Sequence, residues 1–137
     1  MQATIQTATG RIPLWRRLVV VVAGLPLGAF FAFVGWHKAF APVADLARFH
    51  AWTLFLPVWA GRLVGWSEMA CALALVAGQW PRLGRLARAS ALILIVNQIA
   101  AAAVHARHGE TAALPQNAVL IALLALVAWL APARHQF

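Results

Sequence analysis

The chain has 137 residues, 64% of them hydrophobic and only 10% charged, with a mean hydropathy of +0.80. A soluble domain carries about 25% charged residues, so this chain has too few to coat a soluble surface of its size. Its net charge of +8 does not point to nucleic acid. The arginines punctuate apolar stretches and form no long basic run or stacking platform; anionic headgroups and topology control account for them.

Residues 1–10 are polar and rich in Thr and Ala, and read as a cytoplasmic lead. Arg11, Arg16 and Arg17 then precede the first of four apolar stretches, 18–36, 63–81, 89–106 and 112–133. A basic segment before an apolar run also describes a signal peptide. Here the run is long and further spans follow, which favours an uncleaved helix. A bilayer core about 30 Å thick needs roughly 20 apolar helical residues to cross it, and each stretch is that long or nearly so. The first contains Gly24, Pro26 and Gly28, which predicts a kink near its middle. It ends in Trp36, an interfacial aromatic, and Lys38, which can snorkel toward the headgroups.

Between Lys38 and Arg62 the pattern changes. Pro42 can open a helix, and Leu46, Phe49, Trp52 and Leu56 recur at roughly helical spacing. The apolar tail is too short to cross and is broken by Pro57. A short interfacial segment over 42–57 is expected, lying across the mouth of the bundle.

In the second span Gly61, Gly65, Glu68 and Ala72 share one helical face. Small residues there would let another helix approach closely, turning Glu68 toward protein. Arg82, Arg85 and Arg88 form the next turn. The third span carries Asn97, Gln98 and His105, and Pro115 precedes the fourth. Arg11, Arg16, Arg17, Arg82, Arg85, Arg88 and Arg134 fall on one side. Lys38, Arg48, Arg62 and Arg107 fall on the other, diluted by Asp45 and Glu110. The positive-inside rule then puts both termini in the cytoplasm.

This topology gathers the unusual polar groups toward the outer end. Glu68 lies about 9 Å inside Arg62, and Asn97 about 12 Å inside His105, at 1.5 Å rise per residue. Lys38, Glu68, Asn97, Gln98 and His105 would then surround one pocket in the outer half of the membrane, walled by Trp36, Trp52, Trp59 and Trp66, with the 42–57 segment as its lid. Three readings stay open. Lys38 or His105 pairs structurally with Glu68, while Asn97 or Gln98 bonds across helices. A quinone or another isoprenoid-like lipid binds in an apolar pocket with a few placed polar groups. Or Glu68, kept protonated by burial, is an acid–base catalyst.

Metal chemistry is not expected. His37, His50, His105 and His108 cluster only loosely, and no second cysteine or carboxylate–histidine motif accompanies them. A b-type haem would need two facing histidines within helices, and only His105 is so placed. The single cysteine, Cys71, has no partner thiol and reads as a small buried apolar residue.

Three segments carry a family resemblance. They are Phe33-Val34-Gly35-Trp36-His37-Lys38-Ala39-Phe40, the run from Val64 to Leu75 around Gly65 and Glu68, and Asn97 through His105 followed by Gly109-Glu110 and a terminal apolar helix. In order and spacing they resemble the DoxX-like family of small four-helix membrane proteins, over about residues 18–130. The resemblance implies a four-helix bundle in the bacterial inner membrane, associated with quinone-linked redox or maturation systems. Lys38, Glu68 and His105 match its recurrent polar positions; their roles do not come with the match. The lack of paired cysteines sets this chain apart from thiol-exchanging relatives.

The expected protein is all-α: a four-transmembrane-helix bundle with spans at about 14–38, 60–80, 84–106 and 115–132, and a short interfacial helix between the first two, forming a single transmembrane domain over 1–137. The leading function is a membrane component of a redox system that binds a quinone or similar hydrophobic small molecule through Lys38, Glu68, Asn97, Gln98, His105, Trp36 and Trp66. No cofactor is fixed by the sequence, and quinone is the candidate. The partners expected are the bilayer, that ligand, and a membrane or redox protein, with no nucleic acid. The alternatives are a membrane enzyme with isomerase-like chemistry, with Glu68 the candidate catalytic residue, and a ligand-free assembly factor.

Overall fold

A computed structural model describes residues 11–132. Five α-helices run in chain order: α1 (Leu14–Phe40), α2 (Val43–Arg48), α3 (Val58–Ala77), α4 (Gly84–Arg107) and α5 (Leu114–Leu130). Single 3-10 turns sit at Trp52–Phe55, Pro81–Leu83 and Thr111–Ala113. With their flanking turns, α1, α3, α4 and α5 are the four helices long and apolar enough to cross a membrane. They pack in a ring in which α1 touches α3, α3 touches α4, α4 touches α5, and α5 returns to α1. Short connections make successive helices antiparallel. One end of the bundle holds the start of α1, the α3–α4 turn and the end of α5. The opposite end holds α2, the Trp52–Phe55 turn and the α4–α5 turn. These are called the arginine end and the lid end.

Burial follows the logic of an apolar solvent. Phe31, Leu75, Leu94, Leu124 and Val127 fill the interior, while Val22, Phe33, Leu73, Val96 and Val119 face outward. An apolar belt that encircles a bundle marks a membrane-facing surface. The tryptophans define its edges. Trp15, Trp80 and Trp129 are exposed at the arginine end, and Trp36, Trp59 and Trp66 toward the lid end. Trp15 and Trp36 lie on one helix about 32 Å apart at 1.5 Å per residue, which matches the roughly 30 Å hydrocarbon core between two aromatic belts. The protein is a multi-pass membrane protein.

Helices α1 and α3 share the most extensive contact in the bundle, and its spacing is set by glycine. The face predicted for α3 is the face it buries: Gly61, Gly65, Glu68 and Ala72 all point inward. A Cβ added at Gly65 would stand 2.5 Å from the Ala39 backbone nitrogen and 2.7 Å from the Gly35 carbonyl oxygen. A Cβ at Gly35 would meet the Gly65 carbonyl at 2.7 Å. The two backbones touch because neither residue carries a side chain, the small-residue contact by which helices associate in lipid. Helix α1 runs unbroken through Pro26.

Between α1 and α3 the chain forms two short pieces rather than one continuous interfacial helix. Helix α2 follows Pro42 and stops at Arg48. His50 then takes a left-handed φ of 50°, its N–H bonded to the Ala47 carbonyl and that of Ala51 to the Leu46 carbonyl. This pairing is a Schellman ending. It turns the chain so that Leu46 and Trp52 are buried while Phe49 is exposed, which one helical stripe would not have done. The Trp52–Phe55 turn packs on both α3 and α4.

The glycine contact makes a paired prediction. Gly65→Ala should destabilise the protein by about 1–3 kcal/mol, as overpacking does where only backbone stands in the way. Gly24→Ala meets only the end of the Gln79 side chain, and should cost less than about 1 kcal/mol. Unfolding of both variants by SDS titration in mixed micelles, followed by circular dichroism, checks the difference.

Candidate functional site

Helix α1 delivers Lys38 to the lid end in its last turn, on the face that also carries Phe31 and Gly35. Helix α3 delivers Glu68 directly opposite, one turn beyond Gly65. The close backbone approach therefore sets the reach of the side chains. Lys38 Nζ donates to Glu68 Oε1 at 2.6 Å. Helix α4 adds Asn97, whose Nδ2 donates to the same Oε1, also at 2.6 Å. Glu68 is 0% exposed and Lys38 5%. A carboxylate in an apolar surrounding is tolerated only when paired and hydrogen-bonded, and here two donors from two other helices converge on one oxygen.

The second oxygen differs. Glu68 Oε2 is buried and has no hydrogen-bond partner among the described residues. Around the pair, Trp52 covers the ammonium, its ring centroid 5.7 Å from Lys38 Nζ, in the range of a cation–π contact. Trp52 is also the one tryptophan that is buried. Arg62 Nη1 donates to the Lys38 carbonyl at 2.9 Å, satisfying one of the carbonyls left over at the C-terminus of α1. Thr53 packs on Gly61, where an added Cβ would lie 3.3 Å from the Thr53 Cβ.

A family model described as the DoxX-like family matches residues 21–127. The chain belongs to the DoxX-like family. No curated protein and no solved structure matches it. In this DoxX-like protein the sequence-predicted site residues separate into three groups. Lys38, Glu68 and Asn97 are brought into direct contact. Gln98 is buried on α4 beside Asn97, and His105 is buried further along the helix. His105 is engaged elsewhere, with its Nδ1 2.6 Å from Glu110 Oε2. Eight residues of α4 separate it from Asn97, about 12 Å of rise. Trp36 and Trp66 are more than half exposed and join Phe40 in an aromatic chain on the outside, with ring centroids 4.4 and 4.9 Å apart.

Three participants were not among the sequence candidates. Glu110 fixes the His105 ring, and Arg62 caps α1. Asn117 is buried near the start of α5, with an Nδ2 that lacks a partner among the described residues. For Asn117 a signal existed, since an amide at the edge of an apolar span is unusual; for Glu110 and Arg62 no spacing rule connects them to their partners. At the lid end, Phe55 stacks on His108 with centroids 3.6 Å apart, and Phe49 meets His37 edge-on at 5.9 Å. These contacts hold the lid to the ends of α4 and α1. Among the described residues no three His, Cys, Asp or Glu side chains are grouped so as to hold a metal ion.

The buried pair predicts an asymmetric response to substitution. Lys38→Met leaves the Glu68 charge uncompensated and should cost about 3–5 kcal/mol. Adding Glu68→Gln to that variant removes the stranded charge, and most of the loss should be recovered. Detergent unfolding of the two singles and the double completes the cycle, and additive losses would show that the two side chains are not coupled.

Proposed function

We propose that this DoxX-like protein is a membrane component of a redox system that binds a quinone or similar hydrophobic small molecule at the Lys38–Glu68–Asn97 cluster. The observation that carries the reading is the unpartnered Glu68 Oε2. A buried acceptor without a donor costs about 1–3 kcal/mol, and a ligand hydroxyl would remove that cost. The ammonium of Lys38 has three donors, one of them directed at Glu68, so it can also donate to a ligand carbonyl. A quinol presents hydroxyls and a quinone carbonyls, and the cluster holds a group for each. A quinone bound here would supply the electron-carrying chemistry; the chain's own residues would orient it and exclude water.

Access runs past the lid. Trp52 covers the Lys38 ammonium, and the 42–57 segment must shift for a head group to reach Glu68. In this reading both termini lie in the cytoplasm of a bacterial inner membrane. Support comes from Arg11, Arg16, Arg17, Arg82, Arg85 and Arg88 at the arginine end, where the sequence carries no acid to offset them. The cluster then sits in the outer half of the bilayer.

Mass spectrometry of small molecules retained after gentle detergent extraction tests the binding. A stoichiometric quinone or isoprenoid is expected in the wild type and should be lost in Asn97→Leu and Glu68→Ala. A well-folded wild type that retains none and leaves its tryptophan fluorescence unchanged on titration with a short-chain ubiquinone overturns the reading. Glu68→Gln distinguishes hydrogen bonding from proton transfer, because it keeps an acceptor and removes the acid. Reporter fusions in the 81–88 turn should read as cytoplasmic, and a periplasmic signal there would reverse the orientation.

A further inference from the structure

A second site lies at the other end of the bundle and does not depend on the ligand of Glu68. Between α1 and α5 an apolar groove of about 570 Å³ opens to the outside, lined by Leu18, Val22 and Phe30 on one wall and Leu120, Leu123 and Leu126 on the other. Leu18 to Phe30 is twelve residues of helix, about 18 Å. That is close to the roughly 15 Å of hydrocarbon in a single leaflet. The groove therefore runs the depth of one leaflet and starts at the arginine end.

Its mouth is cationic. The Arg16 guanidinium reaches from α1 to the end of α5, with Nη2 donating to the carbonyls of Leu130 at 3.2 Å and Trp129 at 3.4 Å. Its Nε is buried and has no partner among the described residues. Arg17 is exposed and directly precedes the first groove residue, Leu18. Arg82 and Arg85 are exposed at the same end. That end is tied to α5, since a Cβ on Gly84 would run into Pro132. The three acidic residues of the chain, Asp45, Glu68 and Glu110, all belong to the lid half.

We propose that the α1–α5 groove is a binding site for one anionic phospholipid, its acyl chain lying between the helices and its phosphate held by Arg16 and Arg17. An acyl chain matches the depth and apolarity of the groove, and a phosphate matches the guanidinium geometry at its mouth. A second copy of the chain fits poorly. Symmetric packing across this face, about an axis normal to the membrane, would set the Arg16 and Arg17 charges of the two copies against each other.

Native mass spectrometry of the full chain in mild detergent tests the site, using phosphatidylglycerol and phosphatidylcholine of identical acyl chains. One phosphatidylglycerol should be retained per chain in preference to phosphatidylcholine. Arg17→Gln, a surface change, should reduce that preference about fivefold, the effect of one basic residue near an anionic headgroup. Ala23→Trp fills the groove from α1 and Leu123→Trp fills it from α5. Each should abolish retention while circular dichroism shows unchanged helix content. Equal retention of the two lipids, or undiminished phosphatidylglycerol binding in both helical tryptophan variants, overturns the proposal. So does a wild-type dimer that dissociates in those variants, which would give the groove to a second copy. Loss of a retained quinone in Glu68→Ala leaves this site untouched, so the two readings fail separately.

Discussion

Helices surrounded by lipid gain little from burying apolar side chains against one another, because the lipid is as apolar as the core. Association must come from close packing and from polar contacts that the bilayer cannot replace. In this protein both act at one place. Gly35 and Gly65 let the backbones of α1 and α3 touch, and that closeness lets Lys38 reach Glu68 at 2.6 Å with both side chains out of contact with solvent or lipid. Asn97 then joins α4 to the same oxygen. Three of the four spanning helices are tied through a single carboxylate, so the glycine contact and the ion pair depend on each other.

The pair is a source of specificity more than of raw stability. Desolvating two charges offsets much of their attraction, and apolar side chains of similar shape often do as well. A charged carboxylate nonetheless admits very few arrangements. Only a register that places a cation and an amide against it is tolerable, and that requirement excludes the sliding open to uniformly apolar helices. The lid follows from the same constraint. Trp52 supplies the Lys38 ammonium with an aromatic face, and the left-handed turn at His50 is what brings Trp52 inward.

The two ends of the bundle have different chemistry. The lid end holds the acids, His37, His50, His105 and His108, and a covered polar cluster, and its contacts are specific: Phe55 on His108, Glu110 on His105, Arg62 on the Lys38 carbonyl. The arginine end holds cations without acids, and its contacts are short backbone caps and close glycine packing. The bundle therefore has one covered polar cluster and one open cationic face.

Much of this was legible in one dimension. Four spans follow from apolar length, since the bilayer fixes how many residues a helix needs. The inward face of α3 follows from Gly61, Gly65, Glu68 and Ala72 recurring at three- and four-residue steps. That Glu68 needs a partner follows from the energy of a carboxylate away from water. Which partner it takes was decided by the tertiary structure. Lys38 and His105 were both eligible, and the choice depended on the α1–α3 distance and on Glu110 holding the His105 ring. The sequence places Trp36, Trp52 and Trp66 alike near one interface; only the path of the chain between α1 and α3 makes Trp52 the buried one and leaves the other two facing lipid. Periodicity reports which residues share a helix face, because that depends on local geometry. It does not report which faces meet, or how closely, because that depends on backbone contacts between residues far apart in the chain.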